Sequence, residues 1–457
     1  MRLRRVHLFV AFAFTVMADP VSSVAYAIEA ALRALDGDPT GLLATMGMVV
    51  AIVVVIALTY HQLIGRFPEG GGGPEAVAAA FGEGWAFLPL GALLVDFTLT
   101  VAVSCAAAAA ALVAYAPELA AARLPIALAI AVAVALGVLA GHRGRVAFAL
   151  AAQAFLVMAA VVVVAGLLAD PVAAPAAGTG EARGPLLADA SLAALLMALP
   201  LGMALATGIE APSNAIAELP QLGDRGRRLF GRATLWAMVA IVGGLTLCFS
   251  ALAVHLGVGL PDGDSTLLAE VARTAVGSGA AFGAFQLFSA LLLFAAAASS
   301  YLAGSGVLKA LSGVGLDGTT GLLPEPLHRE NRFLVSHWGV LVVLALAVAM
   351  LLAAAGREQT LVQFYAVSVF ASFLAATLAC ARLSLRDGRR RAAVANLLGA
   401  GLVSFVLALN LTRLDSALAL LAAAAIAVYL WRTWVARGRP RGVARASAAW
   451  GEAADEN

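Results

Sequence analysis

The chain has 457 residues, of which 62% are hydrophobic and only 12% are charged, with a formal net charge of +2 and a mean hydropathy of +0.95. Soluble domains carry about 25% charged residues, so a chain this poor in charge is unable to cover a globular surface with them. Its repeated apolar runs have the length of about 20 residues that crosses a bilayer. Disorder, a disulfide scaffold and a soluble α/β enzyme are therefore excluded. The composition predicts an all-α polytopic protein with the lipid bilayer as its main partner.

The first 35 residues predict one interrupted helix. A basic start followed by the apolar run 6–16 resembles a cleavable signal peptide, but the apolar pattern continues through 25–35, which favours a broken helix. Pro20 removes a backbone donor, and Asp19 is a good N-cap for a helix that begins at Pro20. Ser22 and Ser23 belong to the same predicted break.

Apolar segments of spanning length predict about twelve transmembrane helices, roughly six in each half of the chain. They form a single membrane domain over residues 1–435, followed by a short tail at 436–457. The predicted spans are 6–35, 42–64, 85–115, 124–141, 146–168, 187–217, 233–256, 279–310, 337–355, 360–382, 393–412 and 416–434.

The basic residues predict the orientation of these spans. If the N-terminus is cytoplasmic, 23 of the 29 Lys and Arg residues fall in cytoplasmic segments. This asymmetry is the one that the positive-inside rule describes. We therefore expect a multi-pass protein with both termini in the cytoplasm.

Three acidic residues lie well inside predicted spans: Asp19 in the first, Asp96 in the third and Glu210 in the sixth. A carboxylate at the bilayer centre costs about 2.5–3.5 kcal/mol on insertion scales. No Lys or Arg lies at a comparable depth in the sequence. Protons or a bound cation must therefore neutralise the three acids, and all three are candidates for carrying a coupled proton.

The sixth span contains a break that resembles the one in the first. Thr207-Gly208-Ile209-Glu210-Ala211-Pro212 interrupts the apolar pattern, and Pro212 is suited to start a second half-helix. Irregular backbone at membrane depth is tolerated only where it is buried in protein or lines a cavity. Matching breaks in the two halves of a chain are typical of secondary transporters built from inverted repeats.

Hydroxyl and phenol groups accompany the acids. Asp96, Thr100 and Ser104 share one helical face, and Tyr26 follows Asp19 by two helical turns. Such hard oxygen ligands suit alkali or alkaline-earth cations. The pattern predicts a cation pathway.

Each of these residues also has a purely structural interpretation. Asp19 alone could be a helix cap, Thr100 and Ser104 could bond to their own helix, and Tyr26 could lie at the membrane interface. Glu210 could be a proton-binding site that binds no other ligand. A shared cation site explains more economically why the set falls on the first, third and sixth spans.

The sequence gives little support for nucleotide binding, hydrolysis or a zinc or disulfide site. Gly70–Gly73 is not followed by the Lys-Ser or Lys-Thr of a phosphate loop, and no hydrolase motif occurs. Cys105, Cys248 and Cys380 all lie in apolar runs, which argues against a disulfide or a zinc site. We expect neither an enzyme nor a nucleic-acid partner.

The segments Asp19–Tyr26, Gly70–Gly73, Asp96–Thr100 and Thr207–Glu210 resemble those of the amino acid–polyamine–organocation (APC) superfamily of transporters. Within it they are most similar to the KimA-type potassium importers. The resemblance implies a LeuT-like fold of five plus five inverted repeats, with broken first and sixth helices. The repeats would cover about 6–168 and 187–382, with two further helices at about 393–434.

The resemblance also implies proton-coupled potassium uptake across a bacterial plasma (inner) membrane. Potassium and protons would be the transported cargo, and no cofactor is expected. The positions implied to line the ion pathway are Asp19, Tyr26, Asp96, Thr100, Ser104, Thr207 and Glu210. KimA-type importers also carry a large cytoplasmic C-terminal domain that regulates and dimerises them. Residues 436–457 are too few to form one, so the family's dimer and its regulation by nucleotides are not carried over, and the oligomeric state stays open.

These observations predict a secondary-active transporter, a potassium–proton symporter that works by alternating access. A proton-coupled amino acid or polyamine permease of the same superfamily is the alternative, because three acids also suit an organic cation. A passive channel is the third interpretation. Potassium and sodium are not distinguished, since that selectivity depends on the geometry of the site.

Overall fold

The computed structural model describes residues 13, 16–141, 143–171, 192–219, 222–313 and 321–443. Within these ranges the secondary structure is helical, apart from one isolated bridge between Glu330 and Ser336. Residues 16–22 are helical and lead into the first complete helix. The α-helices are α1 (Val24–Ala34), α2 (Pro39–Arg66), α3 (Gly72–Phe81), α4 (Glu83–Tyr115), α5 (Arg123–Leu139), α6 (Arg143–Leu168), α7 (Leu192–Gly202), α8 (Ala211–Ala215), α9 (Asp224–His255), α10 (Leu267–Val276), α11 (Ala280–Ser312), α12 (His337–Ala353), α13 (Glu358–Arg386), α14 (Arg390–Leu411) and α15 (Leu414–Ala436).

The described helices match the apolar pattern of the sequence. Nine helical segments of the described ranges are long and apolar enough to cross a membrane, and Ala152–Leu168 and His337–Ala353 are shorter apolar helices. Each predicted span contains a described helix, although 6–12 and 187–191 lie outside the described residues. The chain is therefore a polytopic helical membrane protein.

Helix α4 lies at the centre of the packing. In its most apolar window 94% of the residues are buried, and it packs against α11, α13 and α15. Small residues permit close approach between helices in membranes. A Cβ atom on Gly91 would lie 2.5 Å from the carbonyl oxygen of Ala423 on α15, and one on Gly304 of α11 would lie 3.4 Å from Cβ of Phe97. At these glycines, α4 and the neighbouring helices α11 and α15 therefore approach one another closely.

The order and lengths of the elements repeat along the chain. The 28-residue α2 is followed by the 10-residue α3 and the 33-residue α4, and the 32-residue α9 by the 10-residue α10 and the 33-residue α11. A 3₁₀ turn and a 17-residue helix come next in both halves. The final helices of the two series, α6 and α13, have 26 and 29 residues. The first series is preceded by a helix that is distorted at Ser23, and the second by the break between α7 and α8.

The interruption between α7 and α8 lies where the sequence predicts a break. After the 3₁₀ turn Met203–Ala206, Thr207 is extended and Gly208 has a φ of +75°. Helix α8 then begins at Ala211 with Pro212 in its first turn, where the missing backbone donor of proline costs nothing.

The sequence predicts a break at Asp19–Ser23, but the first span is only distorted there. Asp19 and Pro20 are inside the helical residues 16–22, so Asp19 does not cap a helix that begins at Pro20. Ser23 keeps helical dihedral angles (φ −63°, ψ −23°), and its N–H donates to the Asp19 carbonyl at 3.3 Å. The Ser22 hydroxyl donates to the Asp19 carbonyl at 2.7 Å and the Ser23 hydroxyl to the Pro20 carbonyl at 2.6 Å. Such hydroxyl bonds to preceding carbonyls compete with the regular backbone pattern, which accounts for the local distortion.

The outer helices present apolar side chains. Leu168 is 81% exposed, Leu414 78% and Leu398 72%. A soluble surface does not carry so many exposed large apolar residues, whereas lipid tails solvate them. Helices α14 and α15 carry much of this surface, and only 33% and 22% of the residues in their most apolar stretches are buried.

Candidate functional site

The three acids predicted from the sequence are all buried. Asp96 is 1% exposed, Glu210 4% and Asp19 7%. The Asp19 carboxyl interacts electrostatically with Glu210, and Asp96 interacts with both Glu210 and Asp19. The fold therefore brings together three carboxyl groups from residues 16–22, α4 and the start of α8.

The distorted part of the first span and the break in the sixth span touch at this point. A Cβ atom on Gly208 would lie 2.7 Å from Cγ of Pro20 and 3.3 Å from Oδ2 of Asp19. The Ser23 hydroxyl reaches the carbonyl oxygen of Leu205 at 3.5 Å. Only a residue without a side chain fits at position 208, and its positive φ is one that glycine adopts without strain. The Glu210 carboxyl interacts with the backbone N–H groups of Gly208 and of Glu210 itself.

Several oxygens of the site have no hydrogen-bond partner among the described residues. They are Oδ1 of Asp19, Oδ1 of Asp96, Oε2 of Glu210 and Oγ of Ser104. None of the ion pairs within the described ranges includes one of the three acids. An unpaired buried polar atom costs about 1–3 kcal/mol, and a set of them calls for an unassigned ion, water or proton.

The hydroxyl-bearing residues of the prediction are all buried. Thr100 and Ser104 lie one and two turns after Asp96 on α4 and are fully buried, and Tyr26 is fully buried in α1. The Tyr26 carbonyl accepts a hydrogen bond from Nε2 of Gln359 at 3.5 Å. The Thr207 hydroxyl donates to the Ala204 carbonyl at 2.5 Å, so this side chain stabilises the turn before the break.

The geometry differs from that of a compact metal centre. Within the described part of the chain, no three His, Cys, Asp or Glu side chains are grouped closely enough to hold a metal ion together. The three carboxyls influence one another electrostatically but do not form such a group. Such an arrangement suits a path of successive positions, completed by hydroxyl and carbonyl oxygens, better than a three-carboxylate chelate.

Sequence reasoning missed a tyrosine beside these acids. Tyr60 of α2 is 1% exposed and interacts electrostatically with Glu210 and Asp96. The signal available was the polar run Thr59-Tyr60-His61-Gln62 near the end of an apolar span. In a linear sequence such a run is indistinguishable from an interfacial helix end.

Sequence reasoning also did not connect the glycine run to the site. Gly70, Gly71 and Gly72 all have positive φ values. A Cβ atom on Gly70 would lie 3.3 Å from the carbonyl oxygen of Asn214, and one on Gly72 2.8 Å from the Ser213 hydroxyl. The turn between α2 and α3 therefore packs directly on α8, immediately after Glu210.

A broken sixth span, buried acids that form no ion pair within the described residues, and a lipid-facing exterior define a membrane transport protein. The sequence profile of the amino acid permease family matches residues 8–432. The chain belongs to this family of transporters, which is part of the APC superfamily.

A curated relative carries a more specific name. The potassium transporter KimA of Bacillus subtilis (strain 168) is 27% identical over 366 residues, which are 78% of this chain and 58% of that protein. The chain thus matches less than two thirds of the length of this relative.

Proposed function

We propose that the protein is a potassium–proton symporter that imports potassium by alternating access. The observation that carries the proposal is the group Asp19, Asp96 and Glu210, three buried acids that interact with one another and form no ion pair within the described residues. A small cation together with a proton would compensate their charge. The name of the relative, a potassium transporter, supports potassium as the cation.

The order of the elements supports a LeuT-like fold of about twelve spans. Two matching sets of five spans account for residues 16–168 and 192–386, and α14 and α15 follow them. The first set begins with the helix that is distorted at Ser23 and the second with the broken helix formed by α7 and α8. Because five is an odd number, the second set would run through the membrane in the opposite direction to the first. The distortion and the break would then meet near the midplane, where transporters of this kind bind their substrate.

In this proposal potassium occupies successive positions along Asp19, Tyr26, Asp96, Thr100, Ser104, Thr207 and Glu210, and one or more of the acids carries the proton. The cargo is potassium and protons, with no cofactor. The distribution of the basic residues supports an orientation with both termini in the cytoplasm, and the membrane would be a bacterial plasma membrane.

An amino acid or polyamine permease is the second candidate, favoured by the description of the matched family. An organic cation could occupy the same acids through its ammonium groups. The two candidates are distinguished by the ligand that raises the melting temperature of the purified protein. Potassium should do so under the first proposal, and arginine or putrescine alone under the second.

The transport assay uses rubidium as a tracer in cells that lack other potassium importers. We expect Asp19→Asn and Asp96→Asn each to lower uptake by about 10- to 100-fold, because a carboxylate contact with a charged group contributes about 1.5–3 kcal/mol. Asp387→Asn is the matched control. Its side chain is 44% exposed in a pair with Arg66, so its removal should leave uptake unchanged.

Two results would contradict the proposal. Normal uptake by both Asp19→Asn and Asp96→Asn would remove the basis of the site. Uptake that ignores a collapsed proton gradient and follows the membrane potential alone would indicate a passive channel.

A further inference from the structure

The ring of Tyr60 packs against another aromatic side chain, whereas its hydroxyl forms no hydrogen bond within the described residues. The ring packs edge-on against Phe373 of α13, with centroids 5.9 Å apart, and Phe373 packs in the same way on Phe370. The side chain is 1% exposed, and its hydroxyl has no hydrogen-bond partner among the described residues. A phenylalanine would pack equally well, and the buried hydroxyl carries the cost of an unpaired polar group.

The surroundings of the hydroxyl connect it to the acids. Tyr60 interacts electrostatically with Glu210 and with Asp96. A Cβ atom on Gly73 would lie 3.7 Å from the Tyr60 hydroxyl and 4.0 Å from the hydroxyl of Ser372. The phenol oxygen is therefore close to the first turn of α3 and within electrostatic reach of two acids. The Cα atom of Tyr60 lies about 9 Å along the helix axis from the end of α2 at Arg66.

We propose that the Tyr60 hydroxyl is an oxygen ligand of the transported cation, on the segment of its path between the acids and the end of α2. This inference rests on the proposed function. A partly dehydrated monovalent cation takes oxygen ligands, and a phenol oxygen beside two acids provides one without adding charge. Occupation by the cation, or by a water molecule bound to it, offsets the cost of the buried hydroxyl.

The test compares Tyr60→Phe with Tyr301→Phe. Both replace a buried tyrosine by phenylalanine, but the Tyr301 hydroxyl already donates to the Ala131 carbonyl at 3.1 Å. In Tyr60→Phe we expect the apparent KM for rubidium to rise by about 3- to 10-fold, the effect of losing one neutral contact. Without cations its melting temperature should equal or exceed that of the wild type, and the stabilisation by potassium should be smaller.

Tyr301→Phe should show the opposite behaviour. Its melting temperature should fall, because a satisfied hydrogen bond is lost, and its KM for rubidium should match that of the wild type. Equal KM values and equal stabilisation by potassium in wild type and Tyr60→Phe would overturn the inference about Tyr60. A wild-type protein stabilised by putrescine or arginine but not by potassium would instead overturn the proposed cation.

A second variant tests the proposed cation path and leaves Tyr60 itself unchanged. Gly73→Ala adds a methyl group next to the hydroxyl at ordinary contact distances, the nearest being 3.4 Å from Cβ of Ala376. If cations pass Tyr60, the narrowed path should lower uptake of caesium more than uptake of rubidium. An unchanged ratio of caesium to rubidium uptake would place the path elsewhere and refute the assignment.

Discussion

Two constraints require glycine at position 208: its backbone is left-handed, and it lies in close contact with Pro20. Its φ is +75°, and a Cβ atom would lie 2.7 Å from Cγ of Pro20. We expect Gly208→Ala to destabilise the protein by about 1–3 kcal/mol through backbone strain alone, and to abolish rubidium uptake, because the first and sixth spans would be pushed apart at this contact. Melting temperature in detergent and uptake at matched expression measure the two effects.

Gly244→Ala is the control for Gly208→Ala. Gly244 lies within α9, and a Cβ atom there would meet nothing within 4 Å. Alanine favours the helix over glycine, so this variant should be as stable as the wild type or more stable, with normal uptake. A Gly208→Ala protein that transports as well as Gly244→Ala would show that the contact between the two spans is dispensable.

The acids could be found from the sequence, whereas Tyr60 and Glu29 could not be placed. An acid inside an apolar run is costly wherever the helix packs, so Asp19, Asp96 and Glu210 indicate a function from local sequence alone. The environments of Tyr60 and Glu29 depend on distant elements. Glu29 is near a predicted helix end, yet it is fully buried, pairs with Arg33 at 2.8 Å and accepts the backbone N–H of Leu267 at 2.9 Å.

At the scale of elements, α14 is attached to the bundle by a reciprocal amide pair. Nε2 of Gln62 donates to Oδ1 of Asn396 at 3.0 Å, and Nδ2 of Asn396 donates to Oε1 of Gln62 at 3.1 Å. The Thr59 hydroxyl also reaches Oδ1 of Asn396, at 3.4 Å. Hydrogen bonds between helices fix which faces meet in a membrane, where the hydrophobic effect gives no preference.

We expect Asn396→Leu and Gln62→Leu each to destabilise the folded protein by about 1–3 kcal/mol, because each removes both amide–amide hydrogen bonds and Gln62→Leu also leaves Nδ2 of the buried Asn396 without this acceptor. The double variant should lose less than the sum, since it removes both partners together. Unfolding at increasing concentrations of a denaturing detergent gives the free energy of unfolding of the three variants and of the wild type. Additive losses would mean that the two amides do not interact.

The short helices show why parts of the fold escape sequence reasoning. Helices α3 and α10 have only ten residues each, and neither belongs to a predicted span. Each has a contact at its N-terminal end that helps to set its position: the glycine turn on α8 for α3, and Glu29 of α1 on the first residue of α10. Hydropathy detects a long span but not a short helix that is held by such contacts.

For the whole molecule, the sequence predicts the repeat of spans and their orientation, and the structure adds the matching short helices. Helix α3 follows the second span of the first series, and α10 follows the corresponding span of the second. If the two series are inverted relative to each other, α3 and α10 lie on opposite sides of the membrane. The count of basic residues would then put α3 in the cytoplasm and α10 outside.

Two glycines allow a test of this arrangement with little disturbance. Gly223, before α9, and Gly263, before α10, are both exposed, and a Cβ atom at either would meet nothing within 4 Å. Gly223→Cys and Gly263→Cys are made in a background that lacks Cys105, Cys248 and Cys380. A membrane-impermeant maleimide should label Gly263→Cys in intact cells and Gly223→Cys only after permeabilisation. Labelling of both from outside would contradict a span between them, and the reverse pattern would show that the basic segments face outward, against the proposed orientation.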